Sequence, residues 1–82
     1  METRVAVISI IVEDAESVAA LNELLHEYGE YVIGRLGIPY RAKNINIISI
    51  AIDAPQDQIN TLTGRIGKLH GVSAKAAYSK AD

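Results

Sequence analysis

The side chains that most often carry out chemistry in proteins are scarce in this chain, which has no cysteine and two histidines, His26 and His70. Nucleophilic catalysis needs a nucleophile beside a base that a third group orients, and no such set can be assembled here. Two distant histidines without a His-x-x-x-His pair also make a weak metal-ligand set. We therefore expect no catalytic residues, no metal site and no cofactor. The less favoured alternative is a metal site that either histidine shares with a carboxylate between subunits.

Two glycines in the second half of the chain form another candidate site. Gly64-Arg65-Ile66-Gly67 has the glycine spacing of the RNA-binding KH loop, whose backbone clamps phosphates. Here the pair falls inside a stripe of apolar residues at helical spacing, which contradicts a loop. That stripe consists of Ile59, Leu62, Ile66 and Leu69. Because glycine in a helix costs roughly 1 kcal/mol relative to alanine, we predict that Gly64 and Gly67 allow close approach of the sheet or of a neighbouring subunit.

Charged and aromatic residues at two predicted turns are the remaining candidates for binding a ligand or a partner. Glu13 and Asp14 follow the first apolar run, where helix capping is the competing interpretation. A second group crowds the middle of the chain, with turn formation as the competing interpretation. It consists of Arg35, Pro39, Tyr40 and Arg41, with Lys43 beside them. The cations of this group would suit an anionic ligand.

An internal repeat predicts the elements that position these residues. The β-branched runs 5–12 and 45–52 superimpose when the chain slides by forty positions, so that Ile8-Ser9-Ile10 falls on Ile48-Ser49-Ile50. Apolar residues at helical spacing follow each run. They are Leu21, Leu25 and Tyr28 in the first half, and Leu62, Ile66 and Leu69 in the second. Each half is therefore predicted to contain a strand followed by a helix.

Boundary signals limit the elements of the first half. Asp14 is placed to cap a helix over about 15–28, which Gly29 would end in a left-handed conformation. A short strand is predicted next, over 30–36. Turn residues then predict a long hairpin loop over 37–44.

The second half carries matching signals. Asp53 is predicted to cap a helix over about 55–69, with Pro55 early in its first turn. Gly71 follows the end of this helix, and a last short strand is predicted over 72–78.

The order of elements, βαββαβ, predicts an α+β fold of the ferredoxin-like type. In this sandwich a four-stranded antiparallel sheet carries both helices on one face, and the two long apolar strands should lie at its centre. A chain of 82 residues has room for one core, so we expect residues 1–82 to form a single domain.

Both alternating sets of residues in the two central strands are apolar, although the helices can cover only one face. One set consists of Ile8, Ile10, Val12, Ile48, Ile50 and Ile52, and the other of Val5, Val7, Ile11, Ile45, Ile47 and Ala51. Covering each branched side chain is worth about 1.5–3 kcal/mol. We therefore expect a homo-oligomer, a dimer or a tetramer, that associates through the sheet face. The pattern leaves open which set faces the helices, and the alternative is a monomer with an apolar outer face.

Composition excludes several other classes of protein. The net charge of −2 gives no general attraction to phosphate backbones or anionic lipid, so we expect neither direct nucleic-acid binding nor membrane association. The start of the chain has no basic leader and no long apolar helix. We expect the protein to be cytoplasmic.

Four segments, together with the opening strand, resemble a known family. They are Val12-Glu13-Asp14, Leu21-Asn22-Glu23-Leu24-Leu25, the hairpin from Arg35 to Arg41, and the run from Leu62 to Val72. Over about residues 4–77 the chain resembles the regulators of the iron-only hydrogenase system, small single domains of the ACT-like, ferredoxin-like kind.

The resemblance implies a regulatory domain that pairs its sheets and helices between subunits. Many ACT-like domains bind an amino acid or other small effector where the first strand meets the first helix. This chain has Glu13 and Asp14 there instead of a glycine-containing turn, and two carboxylates would compete with a ligand carboxylate for the helix N–H groups. The related nickel-responsive repressors use His and Cys ligands, which this chain does not reproduce, and a separate DNA-reading module, for which it has no residues left.

The leading hypothesis is a non-enzymatic, oligomeric ACT-like domain that regulates an iron-only hydrogenase system through a small ligand or a partner protein. Any effect on transcription would then require a partner or an effector-sensing complex. The alternative is a structural module of a larger complex that senses no effector. Small-molecule catalysis ranks last, because the residues give no convergent polar pocket.

Overall fold

The computed structural model describes residues 2–80. Within them, four strands form an antiparallel sheet in the order β2-β3-β1-β4. The strands are β1 (Arg4–Val12), β2 (Val32–Tyr40), β3 (Ile45–Ala54) and β4 (Val72–Tyr78). The helices are α1 (Val18–Glu27) and α2 (Gln56–Gly67), and short 3₁₀ turns occupy Ala15–Ser17, Gly29–Tyr31 and Arg41–Lys43. The predicted α+β ferredoxin-like fold is confirmed, with the two long apolar strands at the centre.

The internal repeat becomes a symmetric pairing of the central strands. Ser9 of β1 lies directly opposite Ser49 of β3, and Ile8 and Ile10 lie opposite Ile50 and Ile48. The two copies of Ile-Ser-Ile therefore run antiparallel across the middle of the sheet. Each copy leads into its own helix on the same side.

The structure decides which residue set faces the helices. Ile8, Ile10, Ile50 and Ile52 are fully buried. They pack with the apolar stripes of the helices, whose buried members are Leu21, Leu25, Ile59, Leu62 and Ile66. The opposite set of the central strands remains open in the isolated chain.

Two capping predictions are wrong. Gly29 does not terminate α1 in a left-handed conformation, since Gly71 is the glycine with positive φ in the described chain. The chain instead continues through a right-handed 3₁₀ turn at Gly29–Tyr31. Asp53 does not cap α2, because β3 extends to Ala54 in register with Arg4, and Pro55 becomes an N-cap without a side-chain hydrogen bond.

The loop prediction for 37–40 is also wrong. These residues continue β2 as an edge strand in which Pro39 lies opposite Asn46. An edge strand tolerates proline because its missing N–H leaves no neighbouring strand unpaired. The reversal is shorter than predicted and consists of Arg41–Lys43 followed by Asn44, whose φ of 58° is left-handed.

Neither helix of the described chain has the length and apolar content needed to cross a membrane.

Candidate functional site

The sheet surface that faces away from the helices, here called the open face, carries large apolar side chains. Ile47 lies between Ile11 of β1 and Ile38 of β2. These three side chains are between 40% and 48% exposed. The patch continues through Val5, Val7, Leu36 and Tyr40, all of which are exposed. Most of the open face is therefore apolar and bare in the single chain.

Polar residues on the open face are concentrated at its centre and along one margin. The opposed pair Ser9 and Ser49 marks the centre, with Lys75 of β4 beside Ser9. Next to them, Ser9, Ile11 and Lys75 contribute to a shallow hollow of about 220 Å³. The apolar side chains thus surround a small polar centre.

A second candidate surface is a groove between α1 and the edge strand β2, here called the α1–β2 groove. Its larger part has a volume of about 280 Å³ and is lined by Val18, Asn22, Arg35, Gly37, Ile38, Pro39, Asn46 and Ile48. A smaller part of about 100 Å³ shares Pro39 and Asn46 with it and includes Tyr40, Arg41 and Asn44. The two hollows therefore adjoin at Pro39 and Asn46.

The α1–β2 groove is basic and polar at its rim and apolar at its base. Arg35 Nη2 donates to Asn22 Oδ1 at 3.4 Å, a long contact with a neutral group. Arg41 forms no ion pair within residues 2–80. Val18 and Ile48 supply apolar surface from the core. None of the lining residues in the described chain is acidic.

The turn after β1 is held by contacts with the turn after α2. Asp14 Oδ1 accepts from Glu16 N at 3.0 Å, and Asp14 Oδ2 lies 2.7 Å from His70 Nδ1. The hydrogen bond from Glu16 N, followed by that from His70, holds the pKa of Asp14 below its ordinary value. Glu13 N donates to Gly71 O at 2.6 Å. Asp14 therefore performs the predicted capping role.

The predicted close approach of the sheet to the glycines of α2 is wrong. A Cβ atom added to Gly64 or Gly67 would meet nothing within 4 Å, so neither glycine makes room for another element of this chain. Contact of these glycines with a neighbouring subunit stays a prediction. His26 is exposed on α1, and His70 pairs with Asp14 across the two turns.

The groove between the two helices has a volume of about 370 Å³, larger than either part of the α1–β2 groove, but its charges are balanced. Glu23 and Glu27 face Arg65 and Lys68 across it. Arg65 Nη1 donates to Glu27 Oε2 at 2.7 Å and to the Tyr28 hydroxyl at 3.3 Å, and these bonds raise the pKa of Arg65. This groove therefore offers a ligand little uncompensated charge.

The structure brings together one of the predicted groups of site residues. Arg35 lines the larger part of the α1–β2 groove, Tyr40 and Arg41 line the smaller part, and Pro39 lines both. Glu13 and Asp14 lie instead against the α2–β4 turn, and Gly64 and Gly67 lie on α2. No group of three or more His, Cys, Asp or Glu side chains within residues 2–80 is arranged to hold a metal ion.

Sequence reasoning missed two amides in the groove, Asn22 and Asn46. Asn46 had a detectable signal, because it shares the alternation of the buried Ile48 and Ile50 but is polar. Asn22 had a weaker signal, since it follows the partly buried Val18 by one helical turn.

Comparisons with known proteins agree on family and fold. A model of the TM1266-like family, described as "Iron-only hydrogenase system regulator, putative", matches residues 4–76. The solved structure of the uncharacterized protein TM1266 from Thermotoga maritima is 32% identical, with a TM-score of 0.92 over 96% of this chain and 100% of that chain. No curated protein gave a significant match.

More distant solved structures show the ACT-like fold alone. The ACT domain from the GTP pyrophosphokinase of Chlorobium tepidum is 17% identical, with a TM-score of 0.78 over 92% of this chain and 99% of that domain. A formyltetrahydrofolate deformylase from Pseudomonas putida KT2440 is 13% identical, with a TM-score of 0.64 over 89% of this chain and 28% of that one.

Proposed function

Since the chain belongs to the TM1266-like family of iron-only hydrogenase system regulators, we propose that it is a non-enzymatic regulatory domain. It acts as a homo-oligomer and controls the expression of an iron-only hydrogenase system through a small ligand or a partner protein. The observation that carries this proposal is the apolar open face, which gives the domain a surface for controlled association.

A second copy of the chain is the occupant that best fits the open face. The four strands have nine, nine, ten and seven residues. At about 3.3 Å per residue and about 4.8 Å between strands, the sheet measures roughly 30 by 19 Å, or about 600 Å². Two such faces packed together would bury about 1,200 Å², the lower limit of standard specific interfaces.

The arrangement of residues on the open face also suits pairing with itself. Ile11, Ile38 and Ile47 form an apolar cluster to one side of the opposed Ser9 and Ser49. A two-fold axis in the plane of the interface that runs through both the serine pair and this cluster would place the clusters of two subunits in contact, as an isologous interface permits. Sheet faces of this kind pack about 10 Å apart in stable sandwiches.

Regulation follows if an effector binds one assembly state more tightly than another, because an effector shifts an equilibrium only by that difference in affinity. The chain has a net charge of −2, which does not favour direct binding to DNA. The proposed effect on gene expression therefore passes through a partner protein or an effector-sensing complex.

Sedimentation velocity at micromolar concentration tests the association. We expect a species of at least twice 8.9 kDa, the mass of the chain. A lone 8.9 kDa species would overturn association through the open face. Deleting the gene and measuring hydrogenase transcripts tests regulation, and unchanged transcripts would overturn that part of the proposal.

A ligand panel separates regulation from pure assembly. A regulatory domain should show a concentration-dependent rise in melting temperature with its effector, because a ligand that binds only the folded state stabilises it. An oligomer with no response to metabolites or metals, and with unchanged transcripts after deletion, would instead be the structural module of a larger complex.

A further inference from the structure

We propose that the α1–β2 groove binds a small organic anion, with the guanidinium of Arg35 holding its acidic group. This inference rests on the proposed function and names the chemical class of its effector. The acidic group is a carboxylate or a phosphate, since both present the planar or near-planar oxygen pair that a guanidinium binds bidentately.

The arginines of the α1–β2 groove lack acidic partners in the described part of the chain. The chain has eight basic and ten acidic residues, so a basic groove without a carboxylate runs against its composition. Arg65 is paired with Glu27, and Arg4 lies over the Tyr78 ring and donates to Gln56. The remaining two arginines, Arg35 and Arg41, form no ion pair within residues 2–80, and both line the α1–β2 groove.

Two amide side chains, those of Asn22 and Asn46, also line the larger part of the groove. Asn22 lies on the α1 side and accepts the long contact from Arg35. Asn46 lies on β3, is half-buried, and makes no side-chain hydrogen bond with any described residue. Each amide can donate an N–H to an acceptor oxygen of a ligand, and Arg35, Asn22 and Asn46 line the same hollow from three different elements.

The shape of the groove limits the rest of the ligand. Val18, Pro39 and Ile48 give apolar contact beside the charged group. The volume of about 280 Å³ is slightly below the roughly 300–1,000 Å³ typical of sites for drug-sized ligands. A short metabolite with an apolar body and an acidic end fits this combination.

Gly37 keeps this space open. It lies on β2 opposite Ile48, on the helix side of the sheet, and a Cβ atom added there would meet nothing within 4 Å. Its φ is not positive, so a larger residue is compatible with its backbone. Gly37→Val would therefore fill part of the groove without strain, and valine suits a strand.

Nuclear magnetic resonance titrations of the ¹⁵N-labelled full chain with succinate and with inorganic phosphate test the proposal at constant ionic strength. We expect saturable shifts of amides along the groove, and the probe that binds more tightly identifies the acidic group as carboxylate or phosphate. Arg35→Gln and Gly37→Val should each weaken this binding by roughly tenfold or more, the effect of losing a charge-assisted bond or the available space.

Matched controls separate a site from general charge attraction. Lys43→Gln removes one positive charge from the same hairpin but outside the groove, and Gly34→Val adds the same side chain to β2 where a Cβ also meets nothing. Both controls should bind as the wild type does. Three results would overturn the inference. They are chemical-shift changes spread over all surface cations, equal losses of affinity in Lys43→Gln and Arg35→Gln, and no saturable shift with either probe.

The experiments distinguish an error in the proposed binding site from an error in the proposed function. If neither probe binds but the chain is oligomeric and its deletion changes hydrogenase transcripts, the regulatory proposal stands and this site is wrong. If both probes bind at the groove but deletion leaves transcripts unchanged, the site stands and the regulatory proposal is wrong.

Discussion

Gly71 packs so closely against Asp14 that a Cβ atom added to Gly71 would lie 2.7 Å from the Cβ of Asp14. Gly71 has a φ of 70°, a left-handed conformation that side-chain-bearing residues rarely adopt. Glu13 N donates to Gly71 O at 2.6 Å on the same contact. The turn that follows the first strand is therefore interlocked with the turn that follows the second helix, which joins the two halves of the repeat.

Gly71→Ala is expected to destabilise the protein by about 1–3 kcal/mol, because it adds both left-handed strain and a backbone clash. Gly64→Ala is the matched control, since its Cβ would lie in open space on a helix and should stabilise by about 0.5–1 kcal/mol. Urea denaturation followed by circular dichroism measures both free energies of unfolding. Equal changes in the free energy of unfolding would contradict the inference that the two turns are interlocked at Gly71.

Asp14→Asn should lower stability at neutral pH and lose its effect in acid. The folded-state pKa of Asp14 lies below its ordinary 3.8, chiefly through the hydrogen bond from Glu16 N and then through His70. A depressed carboxyl pKa contributes stability above the unfolded value, and this contribution is lost as pH falls through the folded value. Melting temperatures of the variant and the wild type should therefore differ by roughly a few degrees at pH 7 and converge below the folded pKa.

Glu23→Gln is the control for this pH dependence. It removes the same charge from the exposed surface of α1, without the contacts that Asp14 makes. A difference between Asp14→Asn and wild type that persists unchanged at low pH would show that the carboxylate charge is not the cause.

Ile11→Glu should dissociate the proposed homo-oligomer and leave the fold intact, whereas Ile10→Glu should unfold the chain. The two residues are neighbours on β1, but Ile11 is 42% exposed on the open face and Ile10 is fully buried under the helices. A carboxylate at the open face destabilises an apolar interface, and one in the core lacks any partner. Sedimentation velocity and far-ultraviolet circular dichroism distinguish these outcomes.

Ala19→Glu places the same charge on the exposed surface of α1 and should change neither assembly nor fold. An Ile11→Glu variant that sediments as the wild type would place the subunit interface elsewhere.

Most of the fold could be predicted because both halves of the internal repeat predict the same elements, a strand followed by a helix. The runs containing Ile8-Ser9-Ile10 and Ile48-Ser49-Ile50 identified the central strands, and the helical stripes identified what covers them. The choice of buried face could not be predicted, because both alternating sets are branched and apolar. Only the side from which the helices pack distinguishes Ile10 from Ile11.

The errors arose where tertiary contacts override a local signal. Gly29 and Gly71 both follow a helix, but only Gly71 meets a neighbouring turn that requires a left-handed backbone. Pro39 is a turn former in isolation, yet β2 is an edge strand and accommodates it. Which strand lies at the edge is a property of the assembled sheet and cannot be read from the residues around the proline.

The candidate site was predictable in part. The concentration of cations in the middle hairpin was visible, and Arg35 and Arg41 do line one groove. The amide of Asn22 reaches that groove from α1, and only the packing of this helix on the sheet places it 3.4 Å from Arg35.

Ser17→Ala should destabilise the protein although it removes a single oxygen atom. Ser17 is 8% exposed, and its Oγ donates to the backbone oxygen of His70 at 2.6 Å, which ties the start of α1 to the α2–β4 turn. Its loss leaves a partly buried carbonyl without that donor, which costs about 1–3 kcal/mol. Urea denaturation should detect this loss, whereas Ser73→Ala, at an exposed position on β4, should have little effect.

Amide exchange of Glu13, whose N–H donates to Gly71 O, should accelerate in Ser17→Ala if the two turns open together. Unchanged stability and unchanged exchange at Glu13 would mean that the turns are held by Asp14 and Gly71 without the serine.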